Sequence, residues 1–246
     1  KMVYAAFTIP QLSYSEAMEL SHFGARVIFP ATMQPAMKKN IPIHIKNTFE
    51  PHHPGTLIHG ALRQRGWIKG ISSRSNLSLL TLQSSEWMVA GGNLGRIFKV
   101  LSQAKLSSLL ISQASSQHSI CLAMPSQEAL LAKEVIEQEF FHEIKSGEMD
   151  AVTLLPGLAL VAAVGENMKH DPGTAGRMFR ALGQNNINVA AIAQGSSELN
   201  ISAIIPQVDL QKALNALHEA FFLSEHKVVH LFLVGTGLIG KALLRM

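Results

Sequence analysis

Residues 92–141 and 173–222 carry one pattern twice, in a gapless register that matches position n with position n + 81. Gly92, Gly95, Arg96, Phe98, Leu101 and Gln103 return as Gly173, Gly176, Arg177, Phe179, Leu182 and Gln184. The stretch ISQASSQHSICLAMP, Ile111 to Pro125, returns as IAQGSSELNISAIIP, Ile192 to Pro206. Gln113/Gln194, Ser115/Ser196, Ser116/Ser197 and Pro125/Pro206 stay in step, and Phe140–Phe141 come back as Phe221–Phe222. Such a duplication constrains the fold strongly. Each copy must be one supersecondary unit, and two units side by side bury more apolar surface than either alone.

The pattern inside each copy predicts β-α-β-β-α. Leu77–Leu82 and Leu158–Val164 are apolar runs of strand length. A Gly-containing turn follows, then a helix with Leu94, Ile97, Phe98 and Leu101 on one face, or Ala175, Met178, Phe179 and Leu182. Ser107–Gln113 with Ser119–Met124, and Asn188–Gln194 with Asn200–Ile205, read as strand pairs joined by a short Ser-Ser connection suited to a hairpin. The closing helix buries Leu210, Ala213, Leu214, Leu217 and Phe221, with Asp209 as its N-cap and Ser126 in that part in the first copy. This is one strand short of the ferredoxin-like βαββαβ plan.

Charge narrows the partners. Only 15% of residues are charged against 47% hydrophobic, which predicts surface covered by subunit or domain interfaces, hence a homo-oligomer. The net charge of +4 is scattered, with Lys38–Lys39 and Arg63/Arg65 its densest clusters and no basic stripe interleaved with aromatics. Nucleic acid is therefore not expected as a partner. The 11 histidines include His52–His53 but lack the spacing of a metal site. Cys121 is alone, which excludes an internal disulfide and fits a reducing cytoplasm. The longest apolar runs fall short of the roughly 20 residues that span a bilayer, so no membrane is expected. The opening Lys1 and the helix begun at Lys241–Met246 suggest a segment of a longer chain.

The G-x-x-G-R-x-F-x-x-L helix start, followed by a strand ending in Gln and then Ser-Ser, resembles the ACT domain, a small amino-acid-sensing module. The paired copies are most similar to the regulatory region of aspartokinases, especially the bifunctional aspartokinase–homoserine dehydrogenases. Helix N-termini offer N–H groups that seat a carboxylate: Asn93 and Leu94 after Gly92 in one copy, Thr174 and Ala175 after Gly173 in the other. Gln113 and Gln194 each present a donor and an acceptor able to hold an ammonium or hydroxyl group. Read singly, each glutamine is also an ordinary exposed residue at a strand end, and the serines simply make a turn. The resemblance implies that the glutamines contact L-threonine as effector. Ser107, Leu109, Asn188 and Ala190, at the strand starts, are second-rank wall candidates.

The flanks differ in character. Ser13-Tyr-Ser-Glu16 is a capping box that should open a helix running to about Gly24. A strand near Val27–Phe29, a helix near Thr32–Lys39, a strand Ile41–Lys46 and a loop over Asn47–Thr56 should follow. QLSYSEAMELSHFGARVIFPATMQPAMKKNIPIHIKNTFEPHHPGTLI resembles the carboxyl-terminal end of an aspartokinase catalytic domain. The family has Lys at the Arg26 position and His at the Phe29 position, so the resemblance assigns a nucleotide-side role to Arg26 and Val27 with altered geometry. The Gly-rich, lysine-bearing motif of that kinase is absent, so no complete phosphoryl-transfer site is expected within the chain. At the other end, Val228-Val-His-Leu-Phe-Leu-Val-Gly-Thr-Gly-Leu-Ile-Gly240 sets an apolar strand before Gly235, Gly237 and Gly240. That pattern fits either a dinucleotide-binding turn or a strand completing a ferredoxin-like sheet.

The expectation is an α+β chain of two tandem ferredoxin-like ACT domains. Residues 1–60 would be a kinase tail, 66–145 and 152–224 the two ACT domains, and 227–246 the start of an NAD(P)-binding Rossmann domain. The resemblance implies a whole polypeptide that phosphorylates aspartate with ATP and interconverts aspartate semialdehyde and homoserine with NADP or NAD. A monofunctional aspartokinase, a freestanding amino-acid-binding regulator and a plain nucleotide-binding oxidoreductase are the alternatives, the last leaving the duplication unexplained.

Overall fold

In the computed structural model, residues 2–25, 27–60, 68–84, 92–114, 119–166, 168, 171–195 and 197–223 are described. The first strand of each unit organises the rest. β4 (Gly70–Gln83) and β7 (Thr153–Val164) run antiparallel in the middle of a six-stranded sheet. The order is β5-β6-β4-β7-β9-β8, with β5 at Leu110–Ala114, β6 at Ser119–Pro125, β8 at Ala191–Gln194 and β9 at Asn200–Pro206. Leu77 pairs with Leu158, its own counterpart in the repeat. An antiparallel pairing of a residue with its own repeat puts a two-fold axis between them, so the units are related by pseudo-two-fold symmetry there. The outer registers agree: Leu110 faces Ala123 as Ala191 faces Ile204, and Gln113 faces Ile120 as Gln194 faces Ile201.

Even the irregularities repeat. Asn76 (φ 59) and Gly157 (φ 74) take left-handed conformations at equivalent places, as do Lys105 (φ 59) and Asn186 (φ 52) after the first helix of each unit. Asn76 lies where the β4–β7 register shifts between Arg74 and Leu77. A bulge there flips which side of the strand faces which layer. Ser72 points toward the amino-terminal helix and Leu80 toward the opposite face, so no single alternation runs through β4. Both strands are accordingly longer than their apolar runs suggest.

The expected fourth strand of each unit takes an unexpected form. In a ferredoxin-like plan it lies beside the first. Beside β4 that place is held by β7, and beside β7 by β4. Each unit completes the other, its first strand standing in the other's fourth-strand place within the ferredoxin-like α+β class.

Helices cover one face. Ile97 and Leu101 of α3 (Gly92–Gln103) and Ala129, Ala132 and Ile136 of α4 (Ser126–Glu139) pack on Leu80, Leu82 and Leu122. The short α5 (Phe141–Ser146) follows. Met178 and Leu182 of α6 (Thr174–Gln184) and Ala213, Leu214 and Leu217 of α7 (Leu210–His218) pack on Ala159, Val161 and Ala203. Each fully buried leucine contributes about 1.5–3 kcal/mol. On the other face Leu77, Leu79, Ala123, Leu158, Leu160, Ala162 and Ile204 share a core with Tyr14, Ala17, Leu20 and Phe23 of α1 (Tyr14–His22). The two edge strands come within 8 Å of each other, Cα to Cα, so the sheet curls around this second core.

The capping box of α1 forms as read: Glu16 N–H donates to Ser13 Oγ (3.1 Å) and Ser13 N–H to Glu16 Oε2 (2.9 Å). Gly24 (φ 126) ends that turn against β4, where a Cβ would meet Ser73 O at 2.1 Å. Three other local expectations fail. Residues 27–29 form no strand, because Phe29 is the extended N-cap of α2 (Pro30–Lys38) with proline at its first position. Ser126 is the first residue of α4 and bonds Ser78 Oγ (2.9 Å) instead of capping. Asp209 makes no side-chain cap, because a 3₁₀ turn at Gln207–Asp209 already leads into α7. The strand expected at 41–46 shortens to β2 (Ile43–Ile45), which pairs with β3 (Thr56–His59), itself beside β1 (Gln11–Ser13). Among the described residues no helix is long and apolar enough to cross a membrane.

Candidate functional site

The start of α6 is built by its preceding loop. Gly173 caps the helix with φ 100, a left-handed conformation that glycine adopts without strain. Thr174 is buried, and its hydroxyl donates to Asp171 Oδ2 (2.8 Å) and Asp171 O (3.1 Å), which fixes the turn. The first N–H groups of α6 have no acceptor within the helix and carry the positive end of its dipole.

Across from this helix start, β8 ends at Gln194 and the chain turns through Glu198, whose N–H donates to Gly195 O (3.0 Å). Between the two lies a cavity of about 200 Å³. Gly173, Thr174 and Ala175 form its helix wall, Gln194 its strand wall, Met168 and Ile201 an apolar side, and Asp171 and Glu198 add carboxylates. A helix N-terminus suits a carboxylate, two acidic side chains suit an ammonium, and an amide suits a hydroxyl. The arrangement complements a small zwitterion.

The structure thus brings Gln194 together with Gly173, Thr174 and Ala175. In the first unit Gly92, Asn93 and Leu94 open α3 and Gln113 stands exposed near the end of β5, while residues 85–91 and 115–118 lie outside the described residues. Ser107, Leu109, Asn188 and Ala190 precede β5 and β8 rather than starting them, at the far end from the glutamines. Leu109 and Ala190 pack into the core shared with α1, while Ser107 and Asn188 are exposed. Val27 is exposed beside a second cleft of about 260 Å³, also lined by Ser21 and Phe29. Arg26, Gly235, Gly237 and Gly240 lie outside the described residues. Asp171 and Glu198 escaped the sequence reading. Asp-Pro-Gly-Thr before a helix is a capping signal that marks the first, whereas Glu198 has no local signal.

Residues 90–140 and 161–221 match the ACT domain, and residues 2–47 match the amino acid kinase family. A bifunctional aspartokinase/homoserine dehydrogenase of Haemophilus influenzae is 41% identical over 245 residues, which are 99% of this chain and 30% of that protein. The chloroplastic bifunctional aspartokinase/homoserine dehydrogenase 1 of Arabidopsis thaliana is 36% identical over 250 residues, 99% of this chain and 27% of its own length. The chain carries two ACT-domain matches and, over 99% of its length, is similar to an internal segment of bifunctional aspartokinase/homoserine dehydrogenases. It spans about 30% of the length of the curated relatives it matches. Among solved structures, the aspartate kinase of Clostridium acetobutylicum superposes with a TM-score of 0.80 at 31% identity, over 89% of this chain and 50% of its own. E. coli aspartokinase III in complex with lysine and aspartate gives 0.73 at 28% identity, over 90% and 48%.

The ACT units differ where they share a plan. In the first, Arg96 Nε donates to Glu139 (2.8 Å), Nη1 to Glu143 (2.5 Å) and Nη2 to Glu139 O (2.9 Å), with the guanidinium 4.2 Å above the Phe140 ring. The bonds to Glu139 and Glu143 raise the Arg96 pKa, and the bond from Arg96 lowers that of Glu143. The second unit has Arg177 at this place, exposed and without an ion pair among the described residues, with Ala220 and Ser224 in sequence where the two glutamates stand. Conversely, Asp171 and Glu198 correspond in sequence to Ala90 and Gln117.

Proposed function

We propose that the ACT region binds a free amino acid, L-threonine, and passes its presence to catalytic domains of a longer polypeptide. One observation carries the reading: Gln194 faces the N-terminus of α6 across a cavity that also holds Asp171 and Glu198. The effector carboxylate would sit on the Thr174–Ala175 end of the helix, the ammonium between Asp171 and Glu198, and the hydroxyl on Gln194. Gln113 with Gly92, Asn93 and Leu94 would serve alike in the first unit, and Ser107, Leu109, Asn188 and Ala190 would act from behind the strands. Threonine comes from the family resemblance, and the small cavity supports a short side chain. The lysine-bound E. coli aspartokinase III favours lysine as the second reading.

Residues 1–60 would be the kinase tail, with Arg26 and Val27 on its nucleotide side, and residues 66–145 and 152–224 the ACT domains. Residues 227–246, with Gly235, Gly237 and Gly240, would begin the dehydrogenase domain. The whole polypeptide would phosphorylate L-aspartate with ATP and interconvert aspartate semialdehyde and homoserine with NADP or NAD. Its subunits would associate through the ACT units, and lone Cys121 supports a reducing compartment, the cytoplasm. Calorimetric titration with threonine, lysine and methionine tests the core of this reading. Gln113→Ala and Gln194→Ala should each remove one threonine site, with a loss of about 1.5–3 kcal/mol, roughly ten- to hundredfold in affinity. Unchanged affinity in the double variant would remove the glutamines from the site, and preference for lysine would overturn the effector.

A further inference from the structure

We infer that Glu16 and Glu19, on the kinase-tail helix α1, are positioning residues for the effector notch of the second ACT unit. The inference rests on reading that notch as the effector site. Glu16 is buried, and its two oxygens face two ways. Oε2 accepts the N–H of Ser13 and closes the capping box, while Oε1 accepts the N–H of Glu166 (3.0 Å). Glu166 begins the loop from β7 that passes Met168 and Asp171 to the helix start. Glu19, one turn along α1, accepts from Asn200 Nδ2 (2.8 Å) through Oε2. Asn200 closes the β8–β9 turn, between the notch residues Glu198 and Ile201. The two loops are tied together where they leave the sheet, Gly165 N–H donating to Leu199 O (3.0 Å).

One helix turn therefore holds both walls of the notch. A buried carboxylate that accepts backbone N–H groups is costly to leave without them, so Glu16 constrains the Glu166 loop rather than following it. In the first unit the counterparts of Glu166 and Asn200 are Ser85 and Ser119. Among the described residues no α1 side chain hydrogen-bonds to that unit's α3 or its β5–β6 hairpin. Among the described residues the side-chain ties of the kinase tail thus run to the second notch. By linkage, whatever moves α1 changes affinity at the second notch, and ligand there steadies α1 by the same free energy.

The Glu19–Asn200 bond tests this best, because Glu16 also caps its helix and its loss could unfold α1. Asn200→Asp sets a carboxylate against Glu19, and adding Glu19→Gln reverses donor and acceptor and restores a bond. Two readouts are taken on the full 246-residue chain. The first is hydrogen–deuterium exchange of residues 165–176 without ligand. The second is threonine affinity in a Gln113→Ala background, which leaves the second notch, and in a Gln194→Ala background, which leaves the first. Asn200→Asp should speed that exchange and weaken the second notch, each about tenfold, and the double variant should return both to within about threefold. The first notch should not respond, and threonine should slow exchange in residues 14–23. Wild-type exchange in Asn200→Asp, or a loss that Glu19→Gln fails to restore, would overturn the assignment. If the wild type binds no amino acid, the effector reading falls, while rescue of exchange by the pair still decides whether α1 positions the loops.

Discussion

The two ACT units share strand registers and two pairs of left-handed residues, yet they use their polar side chains differently. The first closes on itself: Arg96, Glu139, Glu143 and Phe140 lock α3 to α4 and α5. The second leaves Arg177 exposed, opens a notch with two carboxylates, and is held from outside by α1. A duplicated backbone sets where strands and helices lie. The side chains that diverge afterwards decide which copy is braced and which is coupled to a neighbour.

The largest expected effect bears on what the units have in common. Because each supplies the other's fourth strand, they should unfold in one transition. Leu77→Ala and Leu158→Ala, at the pseudo-axis, should each cost about 2–5 kcal/mol and lower that transition without splitting it. Two resolved transitions in a denaturant titration would show that the shared sheet does not unify them. Next comes the brace. Arg96→Ala should cost about 1–2 kcal/mol, a modest sum because the side chain is 35% exposed, whereas Arg177→Ala should stay within about 0.5 kcal/mol. Equal losses would remove the asymmetry. Asp171→Asn or Glu198→Gln should then weaken threonine at the second notch about tenfold, ~1.4 kcal/mol, and leave the first notch as it was. Calorimetry in the Gln113→Ala and Gln194→Ala backgrounds separates the two.

Much of this was legible in the sequence, for physical reasons. The gapless repeat and the 3.6-residue spacing of Ile97, Leu101, Met178 and Leu182 come from short-range rules, and those helices lie where expected. The capping box at Ser13 and Glu16 is equally local. The bulges hid the true length of β4 and β7, because a phase change in the middle of a strand erases its alternation. The pairing of the two first strands was also hidden, since strand order is a long-range choice that no window records. At the site, Gln194 and the Gly173–Ala175 helix start could be found because they repeat. Asp171 and Glu198 could not be found that way, being absent from the other copy, and a repeat reveals only what both copies kept.

The smallest effect is a pH dependence that should also divide the units. His218 and Glu137 occupy the same position in the repeat. Glu137 accepts the N–H of Val152 (3.0 Å), the lead into β7, and pairs with Lys133 (3.2 Å). His218 instead lies buried between Phe7 and Phe222, ring centroids 5.7 and 5.1 Å away, and that burial lowers its pKa below the ordinary 6.5. The sign follows from which state takes the proton. Well above pH 6.5 the imidazole is neutral in both states and stability does not depend on it. As pH falls below that, the unfolded chain binds a proton that the folded one resists, so stability declines until the folded value is passed. Glu143, held low by its bond to Arg96, acts in a more acidic window, its contribution present above the ordinary 4.5 and lost as pH falls through the lowered value. Denaturant midpoints from pH 8 to pH 3 should therefore fall in two steps. His218→Leu should flatten the upper step and leave the lower, and Arg96→Ala should do the reverse. A single step that both variants alter alike would mean that the acid response does not distinguish the units.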